Sequence, residues 1–142
     1  MPPTATVRRV LPAPPERVFA EWVDAEAITL WMCPRPARCL GAEIQPWVGG
    51  RLRFDIKDAG AEFSVAGRFT VVDRPHRLSF TWRCSTWPDP SADSLVTVSL
   101  DPHPQQQTLM TIEHTLLSGS LAEQHRLGWM AIAGQLEAVL RG

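Results

Sequence analysis

The chain lacks the features that mark membrane and secreted proteins. None of its apolar runs approaches the roughly 18 residues that a membrane span needs. The first residues, MPPTATVRRVLPAPPERVF, contain no apolar segment of a secretory signal. We therefore expect a cytoplasmic protein. The net charge is only −1, and since nucleic acids and anionic membranes attract basic proteins, we expect neither as a partner.

Cysteine is also scarce, and its spacing is uninformative. The chain has three cysteines, Cys33, Cys39 and Cys84, and an odd number in a cytoplasmic protein indicates reduced thiols. Cys33 and Cys39 lie in the stretch ITLWMCPRPARC, six positions apart. That spacing is neither a C-x-x-C redox pair nor a usual zinc-binding spacing. We expect no metal or cofactor here, and interpret the cysteines as small apolar side chains beside a loop.

Common catalytic motifs are missing as well. There is no G-x-S-x-G nucleophile turn and no glycine-rich phosphate loop. The strand positions that should face inward hold almost no carboxylates, so a general acid and base pair is not expected. The sequence thus predicts no catalytic residue and favours a non-enzymatic role, although it leaves an enzyme open.

What the chain does have is regular alternation of apolar and polar residues. Its 142 residues suit one domain, taken as residues 1–142. Period-two alternation is typical of antiparallel strands with one covered face. It is seen in RLRFDIKD, EFSVAGRFTVVD, RLSFTWRC, LVTVSL and LMTIEHTL. With CLGAEIQP and an initial strand from Ala5 to Leu11, this predicts about seven strands, six of them consecutive.

Helical patterns flank the strands. A helix is expected after PAPP, because proline suits the first turn. A second short helical stretch, Ala25 to Met32, should end before Pro34. The segment SLAEQHRLGWMAIAGQLEAVLRG predicts a long amphipathic helix with Ser120 as its N-cap. Because its apolar stripe needs a covering surface, we expect an α+β fold in which a curved antiparallel sheet wraps around this C-terminal helix.

This order of elements resembles the helix-grip fold of the START-like (SRPBCC, Bet v-type) superfamily. The segments APPERVFAEWVDAEAITLWMCP, PWVGGRLRF, GRFTVVDRPHRLSFTW and TIEHTLL, with the dipeptide GW, are similar to homologues of the activator of heat-shock-protein-90 ATPase. The resemblance runs from about Val7 to Leu140 and suggests a stand-alone bacterial member. It implies a cavity between helix and sheet for an apolar small molecule. The eukaryotic activator has a further N-terminal domain that contributes to chaperone binding, so its activity is not carried over.

Within that fold we expect seven residues to form the ligand site. They are Trp31, Phe54, Phe80, Trp82, Met110, His114 and Trp129. Trp31 would close the mouth, while alternation places His114 on the same face as Met110, where it would be a polar anchor. The more common alternative is a core histidine whose nitrogens are paired within the protein.

Three functions are compatible with these patterns. The first is a carrier or sensor that binds an apolar small molecule. The second is a co-chaperone-like interaction module, which a filled interior and an exposed apolar patch would favour. The third is a cyclase-type enzyme, which needs a second polar group beside His114 in an open pocket. An edge strand could also pair two chains into a homodimer.

Overall fold

The fold is a seven-stranded antiparallel sheet with a long C-terminal helix, as the sequence predicts. The computed structural model describes residues 4–89 and 93–142. The elements follow in the order β1 (Ala5–Leu11), α1 (Pro15–Val23), α2 (Ala25–Ile28), β2 (Arg38–Ile44), β3 (Arg51–Asp58), β4 (Ala61–Asp73), β5 (Arg77–Cys84), β6 (Ser94–His103), β7 (Gln107–Thr115) and α3 (Gly119–Arg141). This arrangement confirms the α+β helix-grip class.

The sheet is a six-stranded meander closed by the first strand. Its spatial order is β1-β7-β6-β5-β4-β3-β2, and its neighbouring strands pair antiparallel. His114 of β7 lies opposite Ala5 on one side and Val96 on the other. Register shifts interrupt β2 between Cys39 and Gly41, and β4 between Phe69 and Val71. Because bulges of this kind increase strand twist, they help the sheet to curve around its contents.

Helix α3 covers only part of the sheet. It contacts β1 most, and then β7, through a buried stripe that includes Trp129, Ile132 and Leu136. An ion pair between Arg9 and Glu137, 2.9 Å from Nε to Oε1, joins α3 to β1 near the end of the helix. Strands β3 to β5 on the other side of the sheet are therefore less tightly covered, and this is where the interior opens.

Two helix boundaries differ from the sequence expectation. The second helix ends at Ile28 rather than Met32, and turns follow it. The Thr29 hydroxyl donates to the Glu26 carbonyl at 2.7 Å, a local bond of the kind that competes with helix continuation. The long helix begins at Gly119 with Ser118 as N-cap, so Ser120 lies inside it. None of the helices in the described part of the chain is long and apolar enough to cross a membrane.

Candidate functional site

A cleft of about 430 Å³ opens between the first half of α3 and strands β3 to β5. Its walls are mainly apolar, and its volume falls within the range of small-molecule sites. The apolar lining residues are Met32, Pro34, Ala37, Ile56, Phe63, Val65, Trp82, Trp87, Leu121, Gly128, Trp129 and Ile132. The polar and sulfur-bearing ones are Cys33, Asp58, Cys84, Thr86, Gln124 and His125.

Two of the seven predicted site residues line this cleft. Trp82 comes from β5 and Trp129 from α3, and their ring centroids lie 5.2 Å apart. The two indoles therefore contact each other at the base of the cleft, where the sheet meets the helix. The other five predicted residues, Trp31, Phe54, Phe80, Met110 and His114, do not line it and are completely or almost completely buried.

Three of the predicted residues on the sheet lie in the core rather than at the cleft. Phe54, Phe80 and Met110 do face the interior, as their alternation indicates, and each is 0% exposed. Trp22 of α1 packs 6.3 Å from the Phe80 ring. The ring of Phe69 packs edge-on against Phe80 at 5.8 Å. Phe80 and its ring neighbours therefore fill the core beneath α1, and the cleft does not extend to them.

Trp31 also belongs to the core rather than to the mouth of the cleft. Its ring meets Trp22 edge-on at 4.9 Å, and its Nε1–H donates to Glu21 Oε1 at 3.2 Å. Arg17 donates to the second oxygen of the same carboxylate. The next residues of the chain, Met32 and Cys33, take the position at the cleft wall that was expected for Trp31.

His114 has both ring nitrogens paired within the protein. The Trp129 Nε1–H donates to His114 Nδ1 at 3.0 Å, so Nδ1 is an acceptor and the ring proton is on Nε2. His114 Nε2–H then donates to Ser94 Oγ at 2.7 Å. The Ser94 hydroxyl donates in turn to the Trp82 carbonyl at 2.7 Å. This chain of bonds fixes Trp129 against the sheet and leaves His114 no free nitrogen for a ligand.

Burial also keeps His114 neutral. Loss of solvation, and to a smaller extent the nearby His125, lowers the pKa of His114 to about 3. A neutral, fully paired and unexposed imidazole has neither the access nor the proton exchange that general acid–base chemistry requires. The role as polar anchor is therefore not supported at this residue, and the cyclase-type hypothesis loses the open pocket that it needed around His114.

The cleft has a different histidine that the sequence reading missed. His125 lies on α3 one helical turn before Trp129 and lines the cleft. Its Nδ1–H donates to the Leu121 carbonyl at 2.9 Å, and its ring packs edge-on against His114 at 4.8 Å and Trp87 at 6.0 Å. The signal was the spacing of Leu121, His125 and Trp129, which puts all three on one helix face.

The two cysteines of the ITLWMCPRPARC stretch lie close together, and Cys33 lines the cleft. Interaction with the Cys39 thiol, and then burial, raises the pKa of the Cys33 thiol, while interaction with Cys33 lowers the pKa of Cys39. Among the residues that the structure describes, no group of three or more potential ligands could hold a metal ion.

Comparisons with known proteins agree with this architecture. The family model described as "Activator of Hsp90 ATPase homolog 1-like protein" matches residues 12–141. No curated protein matches the sequence. Protein CV1439 from Chromobacterium violaceum is 28% identical, with a TM-score of 0.90 over 100% of this chain and 99% of that one.

Two further solved structures show the same fold. Protein NE0264 from Nitrosomonas europaea is 21% identical, with a TM-score of 0.83 over 98% of this chain and 94% of that one. The AHSA1 protein SPO3351 from Silicibacter pomeroyi is 22% identical, with a TM-score of 0.84 over 97% of each chain. The chain therefore belongs to the Activator of Hsp90 ATPase homolog 1-like family, with the helix-grip fold of the START-like superfamily.

Proposed function

We propose that this protein binds an apolar small molecule in the cleft between α3 and the sheet. The observation that carries the proposal is the cleft itself, an apolar space of about 430 Å³ with two tryptophans at its base. Aromatic walls offer a ligand a large contact area in fixed positions. Because the hydrogen bond from Trp129 to His114 holds one of these walls in place, the site is formed before a ligand arrives.

Gly128 offers a way to block the cleft without disturbing the fold. It lines the cleft from α3, and a Cβ atom at this position would lie 3.8 Å from Pro34 Cγ, in ordinary contact. The side chain of Gly128→Leu would therefore extend into the cleft. Glycine inside a helix costs roughly 0.8–1 kcal/mol relative to alanine, and leucine is also a good helix former, so the variant should remain folded.

The test is a titration with 2-methylnaphthalene, followed by the indole N–H signals in ¹H–¹⁵N NMR spectra. In the unmodified protein we expect the Trp82 and Trp129 signals to shift. Gly128→Leu should abolish these shifts. Gly134→Ala is the matched control, because it also removes a helical glycine but lies near Arg9, outside the cleft. Binding that survives Gly128→Leu unchanged would contradict the proposed location.

The interaction-module alternative has narrower support. Trp47 and Val48, in the turn between β2 and β3, are 57% and 66% exposed. Leu40 on β2, at the edge of the sheet, is 45% exposed. These side chains are typical of a protein contact, but this alternative was predicted to go with a filled interior, and the cleft is open. Small-molecule binding is therefore the better supported function.

A further inference from the structure

An unpaired hydrogen-bond donor lies at the base of the cleft. Trp82 is only 7% exposed, and its indole Nε1 has no hydrogen-bond partner among the described residues. A buried N–H without an acceptor costs free energy, and the described part of the chain holds two, on Trp22 in the core and on Trp82 at the cleft. The neighbouring Trp129 donates its own Nε1–H to His114. The Trp82 N–H therefore has no acceptor in the described part of the protein, while its ring forms part of the cleft lining.

An unpaired acceptor lies on the facing helix. Because His125 Nδ1 donates to a carbonyl, Nδ1 carries the proton and the neutral ring presents a bare Nε2. Burial lowers the pKa of His125, which favours this neutral form. No partner of Nε2 is found in the part of the chain that the structure describes. The rings of Trp82 and His125 both contact His114, at 5.7 Å and 4.8 Å between centroids, so both groups lie near the same end of the cleft.

The charge of the lining restricts the ligand further. The chain has 14 arginine and lysine residues in total, yet none is among the residues that line the cleft. Asp58 is the carboxylate in that lining. An anionic ligand such as a fatty acid would therefore leave water without gaining a cationic partner, which is unfavourable in an apolar site.

We propose that the ligand is an uncharged apolar molecule with a hydroxyl group, a phenol or alcohol, that donates to His125 Nε2 or accepts from Trp82 Nε1. A hydroxyl suits this pair because it is both donor and acceptor. The inference rests on the proposed small-molecule function and adds the chemical class of the ligand. His125 and Trp82 are then the residues that select it, whereas His114 holds the walls in place.

Three probes of one shape separate the possibilities: 2-naphthol, 2-methylnaphthalene and 2-naphthoate. We expect 2-naphthol to bind roughly fivefold to tenfold more tightly than 2-methylnaphthalene, the gain of one net hydrogen bond. The naphthoate should bind most weakly of the three. His125→Phe keeps a ring between His114 and Trp87 but has no acceptor, so it should remove the preference for naphthol. His125→Gln, which retains an acceptor, should restore part of it, and Trp82→Phe should reduce it.

Binding of 2-methylnaphthalene to each variant shows that the cleft is intact. A direct readout in the unmodified protein is the ¹⁵N shift of His125 Nε2, which should change with naphthol and stay constant with methylnaphthalene. Equal affinities for naphthol and methylnaphthalene, tighter binding of the naphthoate, or an unchanged preference in both His125→Phe and Trp82→Phe would overturn the ligand class and leave the proposed function standing. If none of the three probes binds, the proposed function fails as well.

Discussion

Acidification from pH 7.5 to pH 5 should destabilise this protein by about 2 kcal/mol through His114 alone. The folded state holds this ring neutral down to a pKa of about 3, while in the unfolded chain the pKa returns to about 6.5. Below pH 6.5 the unfolded state therefore binds a proton that the folded state does not. Stability is fully present above pH 6.5, and it is lost as the pH falls from there towards 3.

The magnitude follows from proton linkage. Each pH unit below the unfolded pKa costs about 1.4 kcal/mol, and pH 5 lies roughly 1.5 units below it, which gives about 2 kcal/mol. Solvent does not screen this lowering of the His114 pKa, because the side chain is 0% exposed. The structural origin of the lowered pKa is burial of the ring, and to a smaller extent the nearby His125. The neutral ring accepts one bond from Trp129 and donates one to Ser94.

The measurement is urea unfolding at pH 7.5 and pH 5, with His114→Gln as the reference. Glutamine does not titrate in this range. The free energy of unfolding of the variant should therefore fall by about 2 kcal/mol less between pH 7.5 and pH 5 than that of the unmodified protein. The carboxylates contribute to both proteins and cancel. His125 contacts His114, so the comparison is repeated with His125→Phe in both proteins to remove its own titration. Equal losses in the two proteins would refute the reasoning. NMR of the unmodified protein gives an independent check, since the His114 ring should remain an Nε2–H tautomer at pH 5.

Two further predictions concern two buried serines and two cysteines. Ser94→Ala should cost about 2–3 kcal/mol because it leaves the buried His114 N–H without an acceptor, whereas Ser79→Ala, whose hydroxyl makes two longer bonds of 3.2 Å, should cost about 1 kcal/mol. Urea unfolding compares the two, and equal costs would contradict the role of the His114 network. Iodoacetamide at pH 7.5 should modify Cys39 before Cys33, since the pKa of Cys39 is lowered and that of the buried Cys33 is raised. Peptide mass mapping at short times measures the order, and the reverse order would show that the thiol pair is arranged differently.

Alternation along the strands predicted the sheet well because burial of one face is a local property of each strand. The expected first strand, Ala5 to Leu11, has the same bounds as β1. The inward positions on β5, such as Phe80 and Trp82, are buried as predicted, although Ser79 on the other face is buried as well. Helix ends were less predictable. After α2 ends at Ile28, the Thr29 hydroxyl donates to the Glu26 carbonyl, a local bond that competes with continuation of the helix.

The site was harder to predict because alternation identifies a face but not the layer that covers it. Phe80 and Trp82 point the same way, yet α1 covers the first and leaves the second at the cleft. The partner of His114 could not be read from the sequence, because Ser94 is brought to it by the pairing of neighbouring strands. His125 carried a helical-spacing signal, because it lies one turn from both Leu121 and Trp129 on the same helix face.

The position of β1 beside β7 has a consequence for the order of folding. Strands β2 to β7 join neighbours in the chain, so they can form hairpin by hairpin at low contact order. The pairing of Ala5 with His114 must instead wait for closure of a loop that spans most of the chain. Since α3 rests mainly on β1 and β7, its platform is complete only after this closure. We therefore expect the meander to form early, and the helix that shapes the cleft to dock in the last and slowest step.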